Sequence, residues 1–219
     1  MKIISINTSL PKKISFNKKT IRTSIFKEPK NCELQVSKNG IEGDRQADLL
    51  AHGGLNKAVY AYSYQHYAYW SKLLKKDFSK NYGLIGENLT IDDFDERKIF
   101  IGDEFRIAKV VLKITQPRIP CFKITIKMNE KNFMKYFIEH NFLGMYMKVV
   151  NDGVIQKGDE IELIHREPQS MSVFDVSKLI FSENNVGAMK KAIALPFLSD
   201  EIKQRFNERL VKLGHYESI

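Results

Sequence analysis

The sequence predicts a mixed α+β fold, mainly β, in which a strand-rich domain at residues 1–167 precedes a small three-helix module at residues 168–219. Before residue 167, short runs of alternating apolar and polar residues recur between Gly, Asn and Asp, which is typical of strands joined by turns. After Pro168 the apolar residues recur at the three- and four-residue spacing of helices. No stretch approaches the ~20 apolar residues that a transmembrane helix needs, so we expect no membrane partner.

The first third of the chain contains predicted strands at residues 2–7, 20–26 and 33–36. The Lys-rich stretch at 11–19 between the first two is predicted to be a loop. Residues 41–57, IEGDRQADLLAHGGLNK, have neither the helical nor the strand period. A polar loop of this length inside a compact domain is usually functional or mobile, which makes it a candidate binding segment.

The middle of the chain is predicted to continue as strands with two helical interruptions. A strand at AVYAY passes into an aromatic helix through His66 and Trp70, and a second helix is expected around Glu130–His140. Further strands are predicted at 86–91, 101–107, 110–116, 145–150 and 157–163. The segments IGDEFRI and KGDEIEL echo each other, since each places Gly-Asp before an alternating strand, and we interpret this echo as structural.

Three short helices are predicted after Pro168. The first covers 172–182, where Ser172 and Asp175 have the spacing of a capping box, and the second covers 185–194 and ends before Pro196. The third is predicted from an apolar stripe at Ile202, Phe206 and Leu210. Helices this short are not stable alone, so they must pack on each other or on the strand-rich domain.

Charge is concentrated near the amino terminus. The formal net charge is +9, and residues 1–40 hold nine Lys or Arg against two acids. Such a segment near a binding site would attract anions such as phosphates, although it could equally be a solvated loop. Its charges are scattered between apolar residues, unlike the dense run of a nucleic-acid tail, so nucleic acid is not the expected partner.

The two cysteines, Cys32 and Cys121, lie far apart and form no CxxC pattern, so free thiols in a reducing compartment are expected. The first residues combine a short apolar run with early charges, which is not typical of a signal peptide. We therefore expect a cytoplasmic protein. Walker, GxGxxG and HExxH motifs are missing, and the five histidines share no ligand-like spacing, which argues against a zinc enzyme.

The segment QPRIPC at residues 116–121 is the sharpest local signal. Its two prolines stiffen the backbone around Arg118 and Cys121. An Arg three residues before a Cys can stabilise the thiolate, which is the form that attacks electrophiles or binds a soft metal such as the sulfur-ligated molybdenum of a pterin dithiolene. The competing interpretation is a buried cysteine beside a strand.

A second set of candidates lies in the loop at 41–57 and at Asn88. Glycines let backbone N–H groups approach a ligand, Arg and Lys supply charge, and amide side chains can pair with the edge of a pterin or purine. The candidates are Gly43, Arg45, Gln46, Gly53, Gly54, Lys57 and Asn88. The alternative is a polar loop with turn glycines. His52 could also activate Cys121 as a nucleophile, as in thiol hydrolases.

In this order, the segments GDRQAD, HGG, HYAYW, GENL, IGDEF and QPRIPC resemble the YiiM-like branch of MOSC-domain proteins, with a three-helix tail. The resemblance covers about residues 1–165 and the tail. It implies a barrel-like, MOSC-type domain that binds the molybdenum cofactor (molybdenum–molybdopterin), with Cys121 holding the metal. It also implies reduction of N-hydroxylated compounds such as 6-hydroxylaminopurine to amines. Cofactor-pocket candidates by this likeness are Arg45, His52, Lys57, Asn88 and Arg118.

The implied reaction needs a proton donor and two electrons. His52 or Arg118 could supply the proton beside Cys121. No flavin, haem or iron–sulfur motif is visible, so a separate electron-donating reductase is expected. The helical tail could dock that reductase, pack on the barrel or form a homodimer. Three alternatives stay open: a cofactor or sulfur carrier without turnover, a thiol hydrolase, and a nucleic-acid-binding barrel.

Overall fold

The structure, a computed structural model, describes residues 1–215 apart from the side chain of Ala51, so the last four residues of the predicted tail lie outside it. The strands are β1 Ile3–Thr8, β2 Lys12–Phe16, β3 Lys19–Thr23, β4 Glu28–Lys30, β5 Leu34–Ser37, β6 Gly40–Ile41, β7 Val59–Ser63, β8 Leu89–Ile91, β9 Glu104–Ile107, β10 Val110–Pro117, β11 Met145–Asn151, β12 Gly153–Ile155 and β13 Glu162–His165. The helices are α1 Leu49–His52, α2 Gln65–Leu74, α3 Lys123–Met128, α4 Phe133–Glu139, α5 Val173–Phe181, α6 Val186–Ala194 and α7 Asp200–Lys212, with a 3-10 turn at Leu55–Lys57.

An eight-stranded sheet forms the centre of the fold, in the order β13-β9-β10-β11-β7-β8-β1-β4. All of its neighbouring strands are antiparallel except β7 and β8, which are parallel. The predicted α+β class is confirmed.

The sheet curls without closing into a barrel. Its edge strands β13 and β4 do not pair within residues 1–215, but β1 reaches the segment that precedes β13. There the Ile3 amide donates to the carbonyl of Asp159 over 3.0 Å, and the Ile161 amide donates to that of Met1 over 2.9 Å. The sheet is therefore barrel-like, as predicted.

The three carboxy-terminal helices pack on this sheet and share its core. Val173 and Val176 of α5, and Ile202 and Phe206 of α7, are buried in the same apolar cluster as Ile114 of β10. The Ser172 hydroxyl accepts from the Asp175 amide at 3.0 Å, which caps α5. The helices are observed in the predicted order, while a domain boundary at residue 167 remains a prediction.

Some segments differ from their predicted conformation: α1 and α3 were not predicted, and only the end of the strand predicted at 157–163 is strand. The stretch at 11–19, predicted to be a loop, contains β2, which pairs only with β3 and forms a separate hairpin. Its turn places Asn17 and Lys18 at positive φ, 49° and 61°. Strand β2 is largely exposed on both faces, so it lacks the buried alternation by which strands are recognised in sequence.

A second buried cluster is rich in aromatic residues. Trp70 of α2, Phe133 and Phe137 of α4, and Tyr62 of β7 are fully buried there. The Trp70 indole N–H donates to the Tyr62 hydroxyl at 2.7 Å, so the polar atoms of this cluster are paired. None of the helices in residues 1–215 is long and apolar enough to span a bilayer.

Candidate functional site

An open cleft gathers side chains from segments that are far apart in the sequence. Its volume is about 620 Å3 when the open space at its mouth is included. The lining residues that the argument uses are Ser24, Lys27, Asp44, Gln46, His52, Lys57, Tyr60, Asn88, Arg118, Cys121, Lys123 and Tyr146. Gly86, at φ +90°, lets one wall close, because a Cβ there would lie 2.8 Å from Ile25 Cγ1.

Cys121 and Arg118 reach the cleft from the turn between β10 and α3. Cys121 is a half-buried free thiol. Arg118 is buried, donates to the Ile85 carbonyl at 2.7 Å, and places its guanidinium carbon 4.7 Å from the centre of the Tyr60 ring. Because one hydrogen bond and one aromatic face hold the guanidinium, its charge has a fixed position in the cleft.

Two further cations of the cleft form ion pairs with carboxylates. Lys27 pairs with Asp44, and Lys57 pairs with Glu201 from α7. Burial lowers the pKa of Lys27, and the neighbouring Asp44 acts against that shift. These two amines are therefore partly neutralised by the protein itself.

His52 faces a positively charged environment. Burial, followed by the charges of Lys123, Arg118 and Lys57, lowers the pKa of His52 below its ordinary value of 6.5. The imidazole is therefore neutral at pH 7 and can accept a proton. No hydrogen bond joins it to Cys121 in the part of the chain that the structure describes, so a preformed thiol–imidazole dyad is not present.

Two hydroxyl groups of the cleft differ in how they are satisfied. The Tyr60 hydroxyl donates to the Leu143 carbonyl at 2.6 Å, and burial raises the pKa of Tyr60 far above its ordinary value, so it stays protonated. The Ser24 hydroxyl is nine-tenths buried and has no hydrogen-bond partner among residues 1–215. Burying a hydroxyl without a hydrogen-bond partner costs free energy, so the Ser24 hydroxyl is suited to form a hydrogen bond with a ligand oxygen or nitrogen.

The GENL segment supports the wall of the cleft. Glu87 is fully buried and accepts hydrogen bonds from the Ile85 amide at 2.9 Å and the Thr90 hydroxyl at 2.9 Å, among others. Asn88 accepts from the Tyr60 amide at 3.1 Å and donates to the Asn7 carbonyl at 3.3 Å. Because both ends of its amide are engaged, Asn88 lines the cleft chiefly as a link between β1 and β7.

The structure places the predicted site residues in three locations. The main cleft contains Gln46, His52, Lys57, Asn88, Arg118 and Cys121. A neighbouring open groove, which shares Asp44 and Gln46 with the cleft, contains Gly43, Arg45 and Gly54. Gly53 lines neither cavity. Its amide donates to the Leu49 carbonyl at 3.1 Å, and a Cβ there would meet that oxygen at 2.4 Å, so it serves to end α1.

Several lining residues were not predicted from the sequence, among them Ser24, Lys27, Tyr60, Lys123 and Tyr146. Ser24 and Lys27 belong to the basic segment 1–40, whose charge was the one available signal. Tyr60 and Tyr146 lie on the paired strands β7 and β11, where they are register partners with rings 5.2 Å apart. A cross-strand pair of this kind becomes visible only when the strand register is known.

The mixed fold surrounds a cleft in which cationic side chains lie beside a free thiol. Residues 48–162 match the MOSC domain. The uncharacterized protein YflK of Bacillus subtilis (strain 168) is 30% identical over 212 residues, which cover 96% of this chain and 95% of that protein. A Gibberella moniliformis (strain M3125 / FGSC 7600) protein named reductase is 30% identical over 193 residues, which cover 87% of this chain but 34% of that protein.

Among solved structures, YiiM from Geobacillus stearothermophilus is similar with a TM-score of 0.81 and 28% sequence identity. The alignment covers 95% of this chain and 98% of that one, so it includes the carboxy-terminal helices. The chain belongs to the MOSC domain family and is a YiiM-like member of it. This family is related to the molybdenum-cofactor sulfurases.

Proposed function

We propose that the chain binds the molybdenum cofactor through Cys121 and reduces N-hydroxylated compounds, such as 6-hydroxylaminopurine, to amines. The observation that carries this proposal is the placement of the Cys121 thiol in one cleft with Arg118 and Lys123. A soft thiolate suits a molybdenum centre, and fixed cations suit the phosphate of a pterin. Membership of the MOSC family and similarity to a protein named reductase support an oxidoreductase role.

The residues present fit such a cofactor. The unpartnered Ser24 hydroxyl can donate to a phosphate oxygen, and the Gln46 amide, which donates to the Lys57 carbonyl at 3.3 Å, borders the same space. When bound, the cofactor would supply the two-electron redox chemistry, and the protein would supply the ligand, the orientation and the charges.

Two side chains have distinct roles in this proposal. The buried guanidinium of Arg118 stays protonated and orients an anionic or carbonyl oxygen from a fixed position. His52, neutral at pH 7, takes up a proton from solvent at an imidazole nitrogen and passes it to the departing oxygen of the substrate. The two electrons would come from a separate reductase, because the sequence shows no flavin, haem or iron–sulfur motif.

The test compares molybdenum and pterin content in Cys121→Ser and Cys32→Ser, each purified anaerobically from a cofactor-producing host. Cys32 is an exposed free thiol that lines neither cavity, which makes it the matched control. We expect near-stoichiometric molybdenum in the parent and in Cys32→Ser, and its loss in Cys121→Ser. Equal, negligible metal in all three proteins after reconstitution would overturn the proposal and favour a thiol hydrolase.

A carrier of the cofactor or of sulfur would need Cys121 in the same way. Turnover separates the two roles, since only a reductase converts 6-hydroxylaminopurine to adenine when a chemical donor such as reduced methyl viologen supplies electrons. We expect multiple turnovers per molybdenum in the parent. A loaded protein that fails to turn over with this donor would indicate a carrier.

A further inference from the structure

The carboxy-terminal helices touch the cleft through the first turn of α7. Glu201, the second residue of α7, forms an ion pair with Lys57, which lines the cleft. The Lys57 side chain is only 9% exposed, whereas that of Glu201 is 44% exposed. A carboxylate from the predicted three-helix module therefore reaches a nearly buried cation of the candidate site.

A second contact fixes the same turn of α7 to the segment that carries Lys57. The Ser199 amide donates to the Thr115 carbonyl at 3.2 Å, and the Thr115 hydroxyl donates to the Asn56 carbonyl at 2.6 Å. Asn56 directly precedes Lys57 in the 3-10 turn. Because the helix is attached at two points, the Glu201 carboxylate has a defined position next to the Lys57 amine.

We infer that Glu201 is a positioning residue of the cleft, which holds Lys57 in place and neutralises it, so that α7 takes part in binding an anionic ligand. This inference rests on the anion-binding part of the proposed function and not on the metal. Within residues 1–215, Lys27 and Lys57 have carboxylate partners, whereas no ion pair is formed by Arg118 or Lys123. The unpaired Arg118 and Lys123 would then meet the ligand's negative charge, and Glu201 limits how strongly anions are attracted.

The test is a double-mutant cycle with inorganic phosphate as the probe, measured by calorimetry on the full chain without cofactor. Glu201→Gln keeps a hydrogen-bond acceptor but leaves Lys57 charged, so we expect phosphate to bind about threefold more tightly at low ionic strength. Lys57→Gln removes a cation of the cleft and should weaken binding by a similar factor. The double variant should bind phosphate within about twofold of Lys57→Gln, because Glu201 acts through Lys57 and its substitution should change little once that amine is gone.

The control is Glu208→Gln, which makes the same charge change on an exposed residue of α7 whose carboxylate accepts from the Gln204 amide at 2.9 Å. Glu208→Gln should leave the phosphate affinity within about twofold of that of the parent. The increase in phosphate affinity caused by Glu201→Gln should become smaller at higher salt concentration, because salt screens the exposed Glu201 carboxylate. The inference would be overturned if Glu208→Gln tightened phosphate binding as much as Glu201→Gln does. It would also be overturned if Glu201→Gln tightened phosphate binding as much in the Lys57→Gln variant as in the parent. A parent that binds no phosphate would overturn it too, whatever its molybdenum content.

Discussion

Two polar regions of this molecule lie side by side and differ in how their groups are satisfied. Around Glu87 the acceptor atoms are paired within the protein: the carboxylate receives Tyr67, Thr90 and the amides of Gly83 and Ile85. In the cleft, among the residues that the structure describes, the Ser24 hydroxyl has no hydrogen-bond partner and the Cys121 thiol is free. The first region uses its polar atoms to hold a loop, and the second leaves them available to a ligand.

The comparison teaches how to separate support from binding among motif residues. GENL and QPRIPC both belong to the set of motifs, but the buried Glu87 is satisfied by neighbouring amides and hydroxyls, while Cys121 faces the cleft. Substitutions in the first region should therefore change the free energy of unfolding, and those in the second should change ligand binding.

The largest expected effect is at Glu87. Glu87→Gln removes the charge that four hydrogen-bond donors surround, so we expect the free energy of unfolding to fall by about 2–4 kcal/mol. Urea denaturation measures it, and Glu208→Gln on the surface should change it by less than about 0.5 kcal/mol. Equal stability of the two variants would break the distinction between the regions.

An intermediate effect is expected at Lys127, which connects the two regions by donating to the carbonyls of Ile25 and Gly83. Burial lowers the pKa of Lys127 from 10.5 to about 8, although Glu87 opposes the shift. Between about pH 8 and 10, Lys127 is protonated more often in the unfolded chain than in the folded one. The free energy of unfolding should therefore increase by about 1–2 kcal/mol as the pH rises through this range.

Denaturation at several pH values measures that gain. Lys127→Gln should remove it, whereas Lys131→Gln, an exposed lysine in the following loop, should retain it. A stability profile that is the same in the parent and in Lys127→Gln would show that the amine does not titrate in this range.

The smallest effect on stability is expected at Ser24. Ser24→Ala removes a buried hydroxyl without a partner, so the free energy of unfolding should stay constant or rise by up to about 1 kcal/mol, while phosphate binding weakens about three- to tenfold. Ser5→Ala is the matched control, because that buried hydroxyl donates to Asn7 at 2.8 Å. Ser5→Ala should lower the free energy of unfolding by about 1 kcal/mol and leave the phosphate affinity unchanged. The account would be contradicted if Ser24→Ala lowered the stability while Ser5→Ala weakened phosphate binding.

The sequence was informative wherever a period or a rigid motif was present. Strand β10 and the stripe of Ile202, Phe206 and Leu210 follow directly from alternating and helical spacing. Strand β2 was not predicted, because it is exposed on both faces and pairs only with β3. Patterning detects a strand through the face that it buries, so an isolated hairpin gives a weak signal.

For the candidate site, the sequence identified the thiol but not its surroundings. Gln46, Lys57 and Arg118 lie with Cys121 in the cleft, although their roles remain predictions. Lys123 follows Cys121 closely but carries no motif, and Glu201 comes from a helix expected to serve packing or docking. Such partners are brought together by the packing of distant elements, which a single sequence does not specify.

The measurement that tests the central claim most directly is the rate of alkylation of Cys121 by iodoacetamide, followed by mass spectrometry with and without bound molybdenum cofactor. Cys32 is the internal control, since it is exposed and outside the cleft. If Cys121 binds the cofactor, its alkylation should slow by more than about tenfold in the loaded protein while that of Cys32 is unchanged. Equal alkylation of Cys121 in loaded and empty protein would contradict the claim.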